Sequence, residues 1–171
     1  RAASMAEAVS SAVRMPVSVK MRAGWDTSLI NAVEMACRIE NTGIECIILH
    51  PRTKSEMYRG IPRWEVLSEL RKSMSLPVVA SGDIRCCDDL EKIRELGADA
   101  FMIGRGAVGN PWIFRELSGG GSARIEERMD IMLEHLDMLC SCFDEVKGVR
   151  HMRKFISAYV KGFPGAAHFR Q

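Results

Sequence analysis

The amino-acid sequence predicts an α/β fold with a parallel β-sheet, followed by a smaller helical region. Two observations carry this prediction. Four short apolar runs recur without strict alternation of apolar and polar residues, which is typical of parallel strands buried on both faces. Segments with helical spacing of apolar residues separate the runs. The resulting order, α-β-α-β-α-β-α-β, is the order of βα units.

The predicted elements follow from these patterns. We expect strands over residues 16–22, 45–50, 77–83 and 100–106. The intervening helices are predicted over residues 1–14, 28–41, 63–73 and 86–96. Gly43 and Gly97 lie just beyond two of these helices, where glycine commonly ends a helix.

The βα pattern stops after Trp112, and the stretch GGGS at 119–122 predicts a flexible break. We therefore expect a first domain over residues 1–118, with about four βα units, and a second, helical domain over residues 123–171. Helices are predicted there at 123–143 and 147–161.

Composition and charge narrow the class of protein. With 47% hydrophobic and 27% charged residues, the sequence is typical of a soluble globular protein. No apolar run reaches the roughly 18 residues of a membrane span, and no secretory signal is visible. We expect a cytoplasmic protein without a membrane partner. Because the chain begins at Arg1, we also expect it to start inside a longer protein.

The six cysteines show no paired C-x-x-C spacing, so we expect reduced thiols and no metal site. Cys37 and Cys46 lie among apolar residues, which predicts that both are in the core.

Positive charge is concentrated near the C-terminus. From Lys147 to Gln171 there is no Asp or Glu, which indicates a polyanionic partner or a solvated basic helix face. The cations of this segment are Lys147, Arg150, Arg153, Lys154, Lys161 and Arg170.

Polar residues fall at the ends of the predicted strands. In a (β/α) barrel or a doubly wound sheet, the carboxyl ends of the strands form the functional site. Structural roles explain some of these residues as well: a strand-end lysine can extend into solvent, a histidine can be hydrogen-bonded in the core, and Asp83 can cap a helix. The strand-end residues are Lys20, Arg22, His50, Arg52, Gly82, Asp83, Gly104 and Arg105.

Arg105, between two glycines at the end of a buried strand, predicts a phosphate site. A guanidinium presents a fork of donors to an oxyanion, and glycines allow close approach of the backbone. We expect Gly104–Gly106 to form half of a phosphate cradle and Ser81–Asp83 to form the other half.

At these residues the chain resembles the tRNA-dihydrouridine synthases, which are flavin enzymes of the (β/α)₈ class. The resemblance rests on VSVKMRAGWD, LHPRTKSEMYRGIPRWE, PVVASGDI and AFMIGRGAVGNPWIF, in that order. It continues in VRHMRKFISAYVKGFPGA, which resembles the C-terminal helical region of the family, and it covers nearly the whole chain. It implies the C-terminal half of a TIM barrel followed by a small helical domain that binds tRNA.

The resemblance also implies roles for individual residues. For the cofactor FMN, it implies contacts from Lys20 near the flavin ring, from the strand residues His50 and Arg52, from the turn Ser81, Gly82 and Asp83, and from the phosphate-binding Gly104 and Arg105. Ser81 stands where the family more often has Asn. For the tRNA, it implies contacts from Tyr58, Arg59, Arg153, Lys154 and Lys161.

The implied reaction is reduction of a tRNA uridine to 5,6-dihydrouridine. NADPH reduces FMN, hydride passes to C6 of the uracil, and an acid protonates C5. In the family that acid is a cysteine in a Gly-Cys-Pro sequence, which is absent here. We expect it upstream of Arg1, together with the other half of the barrel. Four strands without that half leave open sheet edges, which favour self-association.

Two other functions agree with parts of the sequence. Another FMN-dependent barrel oxidoreductase, acting on a small molecule, would explain SGD and GRG but not the basic C-terminal segment. An inactive RNA-binding remnant would explain that segment but would leave Lys20 and His50 without a role.

Overall fold

A computed structural model of the chain describes residues 1–163 and 165–166. It separates into two compact units, Arg1–Gly104 and Arg105–Gln171. Arg170, one of the predicted basic residues, lies outside the described residues.

The first unit alternates helices and strands. Its elements are α1 Ala2–Ala12, β1 Ser18–Gly24, α2 Ala32–Ile39, β2 Cys46–Thr53, α3 Trp64–Ser73, β3 Val78–Ser81, α4 Cys87–Glu95 and β4 Ala100–Met102. The four strands form one parallel sheet in the order β1-β2-β3-β4. The predicted α/β fold and parallel sheet are confirmed.

The strand order decides which side of the sheet the helices cover. It never reverses, so these four strands are not a doubly wound sheet. Successive right-handed crossovers in one direction place the connecting helices on the same face. The residues fully buried against that helical layer alternate along the central strands, as the two-residue period requires. They are Ile47, Leu49, Val78 and Ala80.

The opposite face of the sheet is more accessible. Ile48, Val79 and Ser81 are only half-buried there, and Lys20 is exposed. Ala100, on the edge strand β4, is exposed as well. The prediction that all four strands are buried on both faces was therefore wrong. The apolar runs reflect one well-packed helical face, since the opposite face is covered only in part, near the loop after β2.

The predicted boundaries shift where local hydrogen bonds intervene. Helix α2 begins at Ala32 rather than residue 28, because the carboxylate of Asp26 accepts hydrogen bonds from the backbone N–H groups of Ser28 and Leu29 in a tight turn. Strands β1 and β2 continue to Gly24 and Thr53, beyond their predicted ends.

Cys37 is exposed rather than in the core, which corrects the sequence-based prediction. It lies on α2 next to Ala36, which is fully buried. Apolar neighbours in the sequence therefore did not indicate its side of the helix, because adjacent helical residues face about 100° apart.

The second unit is helical. It contains a 3₁₀ turn at Arg105–Ala107 and the helices α5 Ile113–Leu117, α6 Ile125–Cys142 and α7 Glu145–Tyr159. Helix α7 begins two residues earlier than predicted, because Asp144 caps it by accepting a hydrogen bond from the backbone N–H of Lys147 at 2.8 Å.

The packing of Trp112 explains why the boundary between the compact units lies before the glycine-rich segment at 119–122. Its ring belongs to a buried cluster with Met152 and Tyr159 of α7. Its indole N–H also donates to Glu127 of α6 at 2.8 Å. The residues before the break thus pack with the helices that follow it.

Among the described residues, none of the helices has the length and apolar character required to cross a membrane.

Helices α6 and α7 approach closely at Gly148. A Cβ atom built on Gly148 would lie 2.7 Å from both Cα and N of Cys140. Only a residue without a side chain permits this separation, because real Cβ atoms do not come so close to backbone atoms.

We therefore predict that Gly148→Ala lowers the free energy of unfolding of the second unit by about 1–3 kcal/mol, because α6 and α7 must move apart. Urea unfolding of the chain measures this. The matched control is Gly121→Ala, since a Cβ there meets nothing within 4 Å. Equal stability of the two variants would contradict the close contact.

Candidate active site at the strand ends

Cationic and imidazole side chains share one face of β1 and β2. Lys20 and Arg22 are two residues apart on β1, and the parallel register pairs Lys20 with Ile48 and Arg22 with His50. Because side chains two residues apart point to the same side, these groups project from the face opposite the helices.

Arg52 is the most buried charged side chain of this site, at 1% exposure. Its Nε donates to the carbonyl of Arg59 at 3.1 Å, and its Nη2 donates to the carbonyl of Gly60 at 2.6 Å and to Asp83 Oδ2 at 2.5 Å. The guanidinium therefore connects β2, the loop after β2 and the turn after β3. This geometry makes Arg52 a positioning residue, with its main donors engaged inside the protein.

His50 is buried, at 6% exposure. Its burial lowers its pKa to about 4, with smaller contributions from the nearby cations Arg22, Lys20 and Arg52, which outweigh the opposing Asp83 carboxylate. The imidazole is therefore neutral near pH 7. A neutral ring offers one N–H donor and one acceptor nitrogen to a ligand.

Lys20 stands at the exposed side of this cluster. Partial burial, followed by repulsion from Arg22, lowers its pKa from the usual value for lysine. A cation in this position favours an anionic group next to it, since such a group relieves the repulsion.

The turn after β3 requires its glycine. Gly82 has φ +127, and a Cβ there would lie 2.9 Å from Cδ2 of His50. Asp83 follows in the left-handed region, with φ 47, and its carboxylate holds Arg52. Ser81, Gly82 and Asp83 are thus brought together with His50 and Arg52, as the sequence predicts for a shared site.

The loop after β2 is fixed by internal hydrogen bonds. Arg22 Nη1 donates to the carbonyls of Thr53 at 2.9 Å and Met57 at 2.8 Å. The carboxylate of Glu56 accepts from the N–H and hydroxyl groups of Thr53 and pairs with Arg63. The loop is held tightly enough to keep Met57 at φ 53, a conformation that non-glycine residues seldom adopt.

Tyr58 and Arg59, for which substrate contact is predicted, lie in this loop with exposed side chains. The Tyr58 ring is 6.3 Å from the His50 ring between centroids. Sequence reasoning missed the structural role of Arg22 and Glu56. For Arg22 the sequence held a signal. Lys20 and Arg22 lie two residues apart and so on the same face of a strand, and solvent exposure alone does not require two cations there.

The phosphate cradle predicted from two glycine-containing turns remains a prediction. Gly104 ends the first unit, and Arg105 begins the second within the 3₁₀ turn. A Cβ on Gly104 would meet nothing within 4 Å, so the space near its backbone is open.

The predicted tRNA contacts of the second unit lie on and just after α7. Arg153 and Lys154 are exposed on the helix, and Lys161 is exposed two residues beyond its end at Tyr159. Lys147 and Arg150 are exposed on the same helix. Within the described residues, no group of three or more His, Cys, Asp or Glu side chains is placed to hold a metal ion.

We predict that Asp83→Ala lowers the free energy of unfolding by about 3 kcal/mol, because it leaves the buried Arg52 guanidinium without its counter-ion. Chemical denaturation measures this loss. Glu91→Ala, which removes an exposed carboxylate from α4, is the control and should cost little. Similar stability of both variants would argue against the ion pair as an anchor.

We also predict that His50 makes stability depend on pH. Its pKa falls from 6.5 to about 4 on folding, so between these values the unfolded chain binds more protons than the folded chain. Stability from this residue is therefore lost as the pH falls from 6.5 towards 4. Unfolding free energies should decline more steeply in this window for the parent than for His50→Gln. Parallel pH profiles would exclude a depressed histidine pKa.

Comparison with known proteins identifies the family of the chain. The chain matches the family described as Dihydrouridine synthase (Dus) over residues 1–171. It is 40% identical over 161 residues to a probable tRNA-dihydrouridine synthase from Rhizobium leguminosarum bv. phaseoli, covering 94% of this chain and 51% of that protein. It is 42% identical over 165 residues to tRNA-dihydrouridine synthase B from Shewanella oneidensis, covering 90% of this chain and 50% of that protein.

Among solved structures, a mandelate oxidase variant aligns with a TM-score of 0.48 and 28% identity, covering 69% of this chain and 33% of that chain. Similarity at this level adds nothing to the functional argument. The chain spans about half the length of the curated relatives that it matches. The family match over residues 1–171 and these identities show that the chain belongs to the dihydrouridine synthase family.

Proposed function

We propose that this chain supplies the flavin-contacting strands and an RNA-binding helix of an enzyme that reduces uridine in tRNA to 5,6-dihydrouridine, with FMN as cofactor and NADPH as reductant. The observation that carries the proposal is the group of Lys20, Arg22 and neutral His50 on the sheet face opposite the helices, in a chain of this family. The proposed architecture is the C-terminal half of a (β/α)₈ barrel, followed by a small helical domain.

The residues present are chemically suited to FMN. Its phosphate and its reduced, anionic ring are both negative, and this face offers the exposed cation Lys20. The turn at Gly82 lets the His50 ring lie directly against its backbone, since a Cβ there would meet that ring. Lys20, His50, Ser81 and Gly82 would hold the flavin, and Gly104, the last residue of the first unit, would contact its phosphate. Bound FMN would supply hydride for C6 of the uracil.

The chain's own residues would act by charge and orientation. Lys20 would stabilise negative charge at the flavin edge next to it. The neutral imidazole of His50 would hydrogen-bond with a polar group without adding another cation to a crowded cluster. Arg52 and Asp83 would keep His50 and the Gly82 turn in place, through the contacts that tie β2 to the turn after β3.

The RNA would meet the exposed cations of the second unit. Arg153, Lys154 and Lys161 are exposed, and phosphate contacts of this kind release counter-ions from the nucleic acid. The C5 proton donor and the remaining barrel wall would come from a segment equivalent to the part of the relatives that this chain does not match.

We predict that the chain binds FMN saturably and that Lys20→Met weakens binding about ten-fold, because a charge-assisted contact is lost. Flavin fluorescence during titration measures both affinities. Lys72→Met, which removes an exposed cation from the end of α3, is the matched control and should leave FMN affinity unchanged.

If Lys20→Met and Lys72→Met weakened FMN binding equally, Lys20 would act only through the net charge of the chain and not through a direct contact. Failure of the parent chain to saturate with FMN would contradict its proposed part in flavin binding.

A further inference from the structure

Exposed apolar and aromatic side chains gather on the two loops that follow β1 and β2. Large apolar groups in water are unfavourable, and a cluster of them on one surface commonly marks a binding site. Relative to full exposure, the members are Trp25 at 59%, Leu29 at 51%, Ile30 at 41%, Met57 at 56%, Tyr58 at 54% and Ile61 at 84%.

Hydrogen bonds join the two loops to each other. The N–H of Lys54 donates to the carbonyl of Gly24, and the N–H of Ser55 donates to the carbonyl of Trp25, both at 2.9 Å. The N–H of Trp25 in turn donates to the carbonyl of Leu29 at 3.2 Å. The indole is therefore presented on a backbone whose conformation is already fixed, which lowers the entropy cost of binding.

A cation accompanies each of the two aromatic rings. Lys54 Nζ lies 4.6 Å from the centroid of the Trp25 ring, and Cζ of Arg22 lies 5.6 Å from the centroid of the Tyr58 ring. This combination distinguishes the surface from a purely apolar protein-docking patch. Aromatic rings with adjacent cations suit unpaired nucleotides, because bases stack on the rings and phosphates pair with the charges.

We propose that Trp25 and Lys54 bind an unpaired nucleotide that flanks the target uridine, with the base stacked on the indole and the phosphate on the ammonium group. This inference rests on the proposed function, since it places the RNA over the strand-end site. Tyr58 is close to His50, with ring centroids 6.3 Å apart, and so belongs to the inner part of the site. Trp25 lies on the neighbouring loop, and we assign it to the flanking nucleotide.

Lys54 covers one face of the indole, and more than half of Trp25 remains exposed. A base can therefore stack on the ring while the flexible lysine keeps its charge nearby. A single strand fits this surface better than a duplex, because a base within a duplex already has both of its faces stacked.

The test measures fluorescence anisotropy of a short, fluorescein-labelled single-stranded RNA titrated with the full chain. We expect Trp25→Ala to weaken binding about ten-fold, in the range found when a stacking residue is removed. Trp25→Phe, which keeps an aromatic ring, should retain most of the affinity. Val9→Ala is the matched control, since it removes a similarly exposed apolar side chain from α1, outside the two loops, without removing a ring.

Two further measurements separate stacking from charge. Lys54→Met should reduce the slope of log affinity against log salt by about one unit, as expected for one lost phosphate contact. Binding of a duplex of the same sequence should be insensitive to Trp25→Ala. Equal affinities of parent and Trp25→Ala for the single strand, equal losses in Trp25→Ala and Val9→Ala, or no RNA binding by the parent would each overturn the inference.

Parallel FMN titrations keep this inference separate from the proposed function. RNA binding that depends on Trp25 in a chain that does not bind FMN would support the stacking contact and count against the flavin site. Saturable FMN binding, together with RNA binding that is unaffected by Trp25→Ala, would support the flavin site and count against the stacking contact.

Discussion

The buried guanidinium of Arg52 is the interaction on which the candidate site depends. It lies at the end of β2, is nearly inaccessible to water, and joins the loop after β2 to the Asp83 carboxylate after β3. A buried charge is costly unless it is paired and hydrogen-bonded, so the loop and the turn must both adopt the observed positions. The left-handed backbone of Asp83 is held by the same contact.

The charge of Arg52 also shapes the chemistry of its neighbours. With Lys20 and Arg22 it contributes to a local excess of positive charge, which acts together with burial to keep His50 neutral. A cluster of this kind favours an anionic ligand, since the ligand relieves repulsion that the fold itself maintains. The site is thus prepared for negative charge before any ligand arrives, which agrees with the flavin chemistry that we propose.

The hydrogen-bonded loops give the same framework the second role that we propose. Arg22 fixes the loop after β2 and lies near the ring of Tyr58, while backbone hydrogen bonds tie this loop to the Trp25 loop. The residues that build the strand-end site therefore also hold the exposed rings to which we assign RNA. In the second unit, the helix pair presents cations on α7, and its packing depends on the contact at Gly148.

The sequence by itself determined the α/β class, the parallel sheet and the strand ends at which Lys20, His50 and Gly82 gather, because hydrophobic periodicity and turn residues are local properties. Its motifs also identified the family. Only the tertiary structure decided that Arg52 is a buried clamp, that Cys37 faces outward and that the loops of Trp25 and Tyr58 form one surface. These features depend on which distant segments meet and on how far water is excluded, and neither is encoded in the spacing of residues along one segment.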